Sequence, residues 1–252
     1  MHLPSGQHPV EYLFSRLKDL DLDYPDGLVA VPEVIGGTAF FPGGYGLCRE
    51  VAGQPPPMPL GEVMVLGQDF GKKKDYRKAL SNGHELATST TWRHLCPLLR
   101  DARISPKCCF FTNAYMGLRT GKSSTGSSPG TRTGKRGFRE RCQAFLVEDQ
   151  IAVQQPRLLL ALGLQVAKFI APLSPDLTAW RKAHSWRKLD AAGPVKHGVR
   201  FGDGPTPVSV VALLHPSFRR LNLAKDPEIR SWQGRTGDDA ELAMLREAAD
   251  TL

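Results

Sequence analysis

An aspartate, an asparagine and a histidine, far apart in the chain, each stand where an apolar run gives out. Asp69 lies in Gly67-Gln68-Asp69-Phe70-Gly71, directly after Val63-Met64-Val65-Leu66. Asn113 follows Phe111-Thr112, and His215-Pro216-Ser217 follows the run from Val208 to Leu214. Open α/β sheets gather their catalytic groups just beyond the carboxyl ends of strands, so three strand ends would deliver these side chains to one crevice. A carboxylate and an imidazole delivered there suggest one active site with an anionic and a proton-donating partner. Each residue also has a plainer reading. An aspartate or asparagine at a strand end commonly closes a turn, and a histidine before proline can simply be held extended. The combination carries more than any single member.

The elements that must position these groups can be read from spacing. Val10, Leu13, Phe14 and Leu17 mark a first amphipathic helix, ending near the turn residues Asp21 to Gly27. Residues 36–61, rich in Gly and Pro, read as an irregular covering segment. Strands are expected at 62–67, 108–112, 157–162 and 207–214. Helices are expected near 91–101, with Ser89 and Thr90 as caps, over 136–154, and over 238–252. Strands alternating with helices predict an α/β fold with a largely parallel sheet. Residues 174–206 mix Pro, Gly and charge without a readable period. The 252 residues are read as one domain: an N-terminal covering segment (1–61), a motif-bearing core (62–222) and a C-terminal helix region (223–252).

Positive charge collects beside the predicted site. The net charge is +8, which favours a polyanionic partner. Lys72-Lys73-Lys74, Arg77 and Lys78 follow the Asp69 run directly. Arg119, Lys122, Arg132, Lys135, Arg136, Arg139 and Arg141 flank a Ser/Thr/Gly-rich stretch. A solvated face is the usual explanation of such runs, but this placement favours phosphate-backbone contacts. Gly117-Leu118-Arg119-Thr120-Gly121-Lys122-Ser123 imitates a phosphate-binding loop with one residue too few between its glycines. A basic loop touching phosphates through Lys122 and Ser123 is the better reading. The five cysteines, Cys48, Cys96, Cys108, Cys109 and Cys142, form no C-x-x-C pair, which argues against a disulfide framework and a zinc ribbon. No apolar run reaches membrane-spanning length, and the N-terminus lacks a signal-peptide pattern, so a cytoplasmic location without membrane association is expected.

Taken in order, these runs resemble the uracil-DNA glycosylase superfamily. Gly67-Gln68-Asp69 is similar to the family's first motif, whose aspartate manages the attacking water. Phe111-Thr112-Asn113 resembles the strand whose terminal asparagine reads the uracil edge, and Leu159-Leu160-Ala161-Leu162-Gly163 the third strand. Leu214-His215-Pro216-Ser217 resembles the second motif, with the catalytic histidine acting as neutral imidazole. The resemblance implies a three-layer α/β/α sandwich around a mostly parallel four-stranded sheet. It implies hydrolytic excision of uracil from base-flipped DNA, with Asp69 and His215 catalytic and Gln68, Phe70 and Asn113 holding the base. Ser89, Thr90, Arg93, Ser217, Arg219, Arg220 and Leu221 would contact DNA, with Leu221 or Phe218 as the wedge. Phe70 and Tyr76 are the candidate stacking aromatics.

Two departures bear on specificity and cofactors. The best-known branch has proline and tyrosine after the aspartate, where this chain has Phe70 and Gly71. Loss of that tyrosine predicts tolerance of 5-substituted uracils. Branches with an iron–sulfur cluster need a C-x-x-C pair, so no cofactor is expected. The expected partner is uracil-containing DNA, single- or double-stranded, bound by a monomer. A sister activity on hypoxanthine or mismatched thymine and a non-catalytic reader of damaged DNA are the rival readings.

Overall fold

The computed structural model describes residues 7–32, 58–82, 89–121, 126, 128–129, 136–202, 204, 206–250 and 252. The proposed phosphate contacts Lys122 and Ser123, with Arg132, Lys135 and Cys48, lie outside the described residues.

Four apolar runs form the centre of the sheet because they can be buried on both faces. These are β2 (Val63–Gly67), β3 (Cys109–Asn113), β5 (Leu158–Leu162) and β7 (Val208–Leu213), and every one of their residues is buried. Near-continuous apolar runs of this kind suit parallel strands covered on both sides. The order across the sheet is β3-β2-β5-β7-β6, where β6 is Val195–Val199. The first four strands are parallel, with Gly67 beside Asn113, Leu66 beside Ala161, and Leu162 beside Leu213. Their carboxyl ends therefore share one edge.

The sheet has five strands, one more than the expected four. The extra strand, β6, runs antiparallel to β7 at the edge, with its register shifted between Lys196 and Val199. Only Val195 and Val199 of its five residues are buried, while Lys196 is half-buried and His197 and Gly198 are exposed. Charge on an edge strand discourages unwanted pairing, and the same charge removes the alternation by which strands are recognised.

Helices cover both faces. One face carries α1 (Pro9–Asp19), α4 (Arg136–Ala144), α6 (Leu164–Ile170) and α7 (Trp186–Ala191). The helix expected over 136–154 is continuous, but widens to a π-helix over Phe145–Ile151 before closing as α5 (Ala152–Gln154). The opposite face is covered by α3 (Thr90–Asp101), through Trp92, Leu95, Leu98 and Leu99, and by α9 (Gly237–Ala249), through Ala240, Met244, Leu245 and Ala248. The result is the three-layer α/β/α arrangement.

The remaining pieces dress the carboxyl edge. A short strand β1 (Leu28–Val29) pairs antiparallel with β4 (Leu118–Arg119), α2 (Lys73–Asn82) follows β2, and α8 (Pro216–Lys225) follows β7. A hairpin of β8 (Ser231–Trp232) and β9 (Arg235–Thr236) leads into α9.

Candidate active site

Strand order places the crevice. The chain leaves β2 toward β3 on one side, then returns across to β5 and proceeds to β7 on the other. The switch point lies between the carboxyl ends of β2 and β5, where such sheets bind ligands. Asp69 sits just beyond β2 and Gly163 just beyond β5, flanked by Asn113 at the end of β3 and His215 after β7. The turn after β2 is tied to its neighbour by Ala114 N–H to Gly67 O (2.9 Å) and Tyr115 N–H to Gln68 O (2.9 Å).

Asp69 is held on both oxygens. Its Oδ1 accepts from the Gly71 amide at 3.1 Å, a turn closed by glycine at φ +69°. Its Oδ2 accepts from Arg119 Nε at 2.9 Å and lies 2.7 Å from Arg119 Nη2. Both side chains are buried, at 4% and 6% exposure. Arg119 reaches this position because β4 is stitched along the motif: Arg119 N–H donates to Gly71 O (2.8 Å) and Phe70 N–H to Gly117 O (3.3 Å). Within the basic glycine-containing run, Leu118–Arg119 form a strand that delivers the arginine inward. The Gly126 carbonyl accepts from Arg119 Nη2 and from Gln68 Nε2, both at 3.0 Å.

His215 is the N-cap residue of α8. The Ser217 amide donates to its Nδ1 at 3.2 Å, so Nδ1 is unprotonated and the neutral ring carries its hydrogen on Nε2. Burial pushes the imidazole below its ordinary 6.5; the Asp69 carboxylate opposes this and the Arg119 guanidinium adds to it. Gly163, at φ +103°, packs behind the ring, where an added Cβ would meet His215 Cβ at 3.4 Å. It is the positive φ, rather than the contact, that favours glycine here. The Phe218 ring lies 5.8 Å from the imidazole, turned by 51°.

Asn113 is 3% exposed, and its Nδ2 has no hydrogen-bond partner among the described residues. A buried amide donor left open is costly unless something arrives to accept from it. Phe70 is half-buried against the core. Tyr76 is 8% exposed, packed with Val31 and Leu118, and so belongs to the support under the motif rather than to an open stacking surface.

The expected DNA contacts divide into outward-facing and engaged groups. Ser89, Thr90 and Arg93 are exposed at the start of α3, although the Ser89 side chain makes no cap bond. Arg220 is exposed and Leu221 is 67% exposed, more than any other large apolar side chain described. Lys73, Lys74, Arg77 and Lys78 line the outside of α2. Ser217 Oγ, by contrast, lies 2.8 Å from Thr91 Oγ1, and His94 Nδ1 sits 2.8 Å from Pro216 O. Arg219 turns away to Glu241 (2.8 Å) and Asp238 (2.6 Å). Of the flanking basic residues, Arg139 bonds Lys168 O and Arg141 pairs with Asp21.

One supporting residue had no signal in the sequence. Glu241 of α9, fully buried, accepts from the Leu214 amide and from Arg230 Nη1, each at 2.5 Å. Arg230, also fully buried, reaches Asp190 Oδ1 at 2.9 Å and stacks its guanidinium 4.4 Å from the Trp186 ring. This cluster fixes the end of β7 one residue before His215. Helical spacing alone would have placed Glu241 among apolar neighbours, and its role depends on a contact 27 residues away.

A buried carboxylate, a neutral imidazole and an open amide thus meet at the carboxyl edge of the sheet, with exposed cations on the neighbouring helices. The Uracil DNA glycosylase superfamily matches residues 58–233, well over half of the chain, and the protein belongs to that superfamily. It is thereby a DNA glycosylase, a hydrolase of DNA repair that binds DNA. No curated protein matches the chain.

Proposed function

We propose that the protein excises uracil from DNA, hydrolysing the N-glycosidic bond of a flipped nucleotide. The observation that carries this is the open Nδ2 of buried Asn113, at the strand end next to the Asp69 motif. An asparagine amide there can donate to uracil O4 and accept from N3–H, a pattern cytosine cannot meet. A site built on buried hydrogen bonds rejects a base that leaves them unmade. Gln68 and Phe70 complete the base pocket in this reading.

His215 donates through Nε2–H to uracil O2. The C1′–N1 bond breaks with its electron pair leaving on the base, and the developing oxyanion is stabilised by that hydrogen bond. The carboxylate of Asp69 balances the positive charge on the sugar and orients water for attack at C1′; the released proton passes to solvent or to the carboxylate. The backbone is gripped by Ser89, Thr90 and Arg93, by Arg220, and by Lys122 and Ser123, with Leu221 filling the gap left by the base. The protein acts on DNA as a monomer, in the cytoplasm.

Gly71 supports a second reading of breadth. A Cβ built on it meets nothing within 4 Å, so the bulk that shuts out 5-substituents in the best-known branch is missing at that position. Activity on 5-hydroxymethyluracil or mismatched thymine is the alternative specificity. One experiment separates these readings: excision from labelled oligonucleotides bearing uracil opposite G, opposite A or single-stranded, beside hypoxanthine, thymine and 5-hydroxymethyluracil. Alkali-labile cleavage at uracil, lost in N113A, is the expected result. Tight binding without cleavage of any base would replace the enzyme with a reader of damaged DNA.

A further inference from the structure

We propose that Arg119 is a positioning residue for the reaction, its forked guanidinium holding Asp69 so that one face of one oxygen alone is offered to water. This rests on the reading of Asp69 as the water-orienting group. A carboxylate offers about four acceptor directions. Here Oδ2 takes Nε and Nη2 of Arg119, and Oδ1 takes the Gly71 amide, leaving one direction on Oδ1. A water bound by Asp69 therefore has a single defined place.

A buried ion pair kept for stability is the plain alternative, but it explains little. Desolvating both charges costs about what their attraction returns, and well-packed apolar residues often serve a fold equally well. What Arg119 supplies, and an apolar residue cannot, is a grip on Oδ2 from two nitrogens that, with the Gly71 amide on Oδ1, holds the carboxylate at both oxygens. The pair is also tied to the rest of the motif, since Arg119 Nη2 and Gln68 Nε2 share the Gly126 carbonyl.

The test is single-turnover excision of uracil, with affinity measured separately on a non-cleavable 2′-fluoro-deoxyuridine oligonucleotide. R119A is expected to cut the rate about 100-fold, the effect of misplacing a reacting group by about an ångström. Affinity for the non-cleavable DNA stays within about threefold of wild type, because the residue makes no contact with phosphate in this reading. Ethylguanidinium, which replaces the deleted atoms, is expected to restore at least a tenth of the lost rate, where equal sodium chloride does not; a purely structural role gives no such rescue. R119K, which keeps the charge and loses the fork, carries the test if R119A does not fold, with a loss of at least about 10-fold expected. Wild-type rates in both variants, or a loss in R119A that ethylguanidinium does not reverse, would overturn the proposal. Wild-type protein that excises no base fails the underlying reading instead, before any variant is compared.

Discussion

The Ser217 amide points its hydrogen at His215 Nδ1 from 3.2 Å, a bond that survives only while that nitrogen is unprotonated. The histidine caps α8, and the same protonation state is the one the proposed reaction needs for donation to the base. Burial lowers its pKa from 6.5, with Asp69 and Arg119 opposing one another.

Excision should therefore hold from neutral pH down past 6.5 and fall only as the folded-state pKa is crossed. The sign follows from linkage: below 6.5 the unfolded chain takes up the proton first, so stability also declines as the pH falls toward the folded value and is unaffected by this group above 6.5. A rate profile against pH, with imidazole titration followed by NMR, checks both. A half-maximal rate above 6.5 assignable to His215 would contradict the burial argument.

Asp69→Asn should reduce excision by about 10²–10⁴-fold, the usual scale of a lost acid–base or water-orienting group. It should also destabilise the protein, because Arg119 is left buried at 6% exposure without its counter-charge. Breaking a buried pair from one side costs about 3–5 kcal/mol. Urea denaturation of D69N reads this directly, and unchanged stability would show that the pair relaxes into solvent.

Glu241→Ala takes one of two carboxylate partners from each of Arg219 and Arg230 and leaves the Leu214 amide without its acceptor. A loss of about 3–5 kcal/mol is expected from the fully buried Arg230 alone. In conditions where the variant remains folded, excision should fall as well, since the end of β7 carries His215. Chemical unfolding and single-turnover rates on the same samples separate the two effects; full stability would mean that Asp190 compensates for Arg230 by itself.

Leu221→Ala should leave stability within about 0.5 kcal/mol, as expected of a side chain that is 67% exposed. Its effect should appear on duplex substrate, with a loss of about 10-fold, because the unstacked step costs a few kcal/mol and the wedge offsets part of it. Single-stranded DNA has no gap to fill and should be cut at the wild-type rate. Equal losses on both substrates would remove Leu221 from the wedge role.

The strands that matter most were legible because burial on both faces leaves uninterrupted apolar runs ending in polar residues, as at Leu66 before Asp69 and Leu214 before His215. β6 was not, because an edge strand of Val195 to Val199 with charge at its centre carries no alternation. Arg119 was read as a loop cation, since nothing local distinguishes an arginine facing phosphate from one facing a carboxylate 50 positions earlier. The pairing of Arg219 was equally invisible, its partners lying on a helix that follows. Local pattern records which residues are buried, whereas long-range pairing of charge is decided by the assembled fold.

The stretch matched by the superfamily stops at residue 233, but α9 begins after it and seals one face of the sheet. Recognisable sequence and cooperative unit thus have different edges. Cutting at that boundary would uncover the apolar layer under Met244 and Leu245 and withdraw Glu241 from the strand that ends at His215. Grafting the motif-bearing segment onto another scaffold would meet the same difficulty, and would have to carry this terminal helix along.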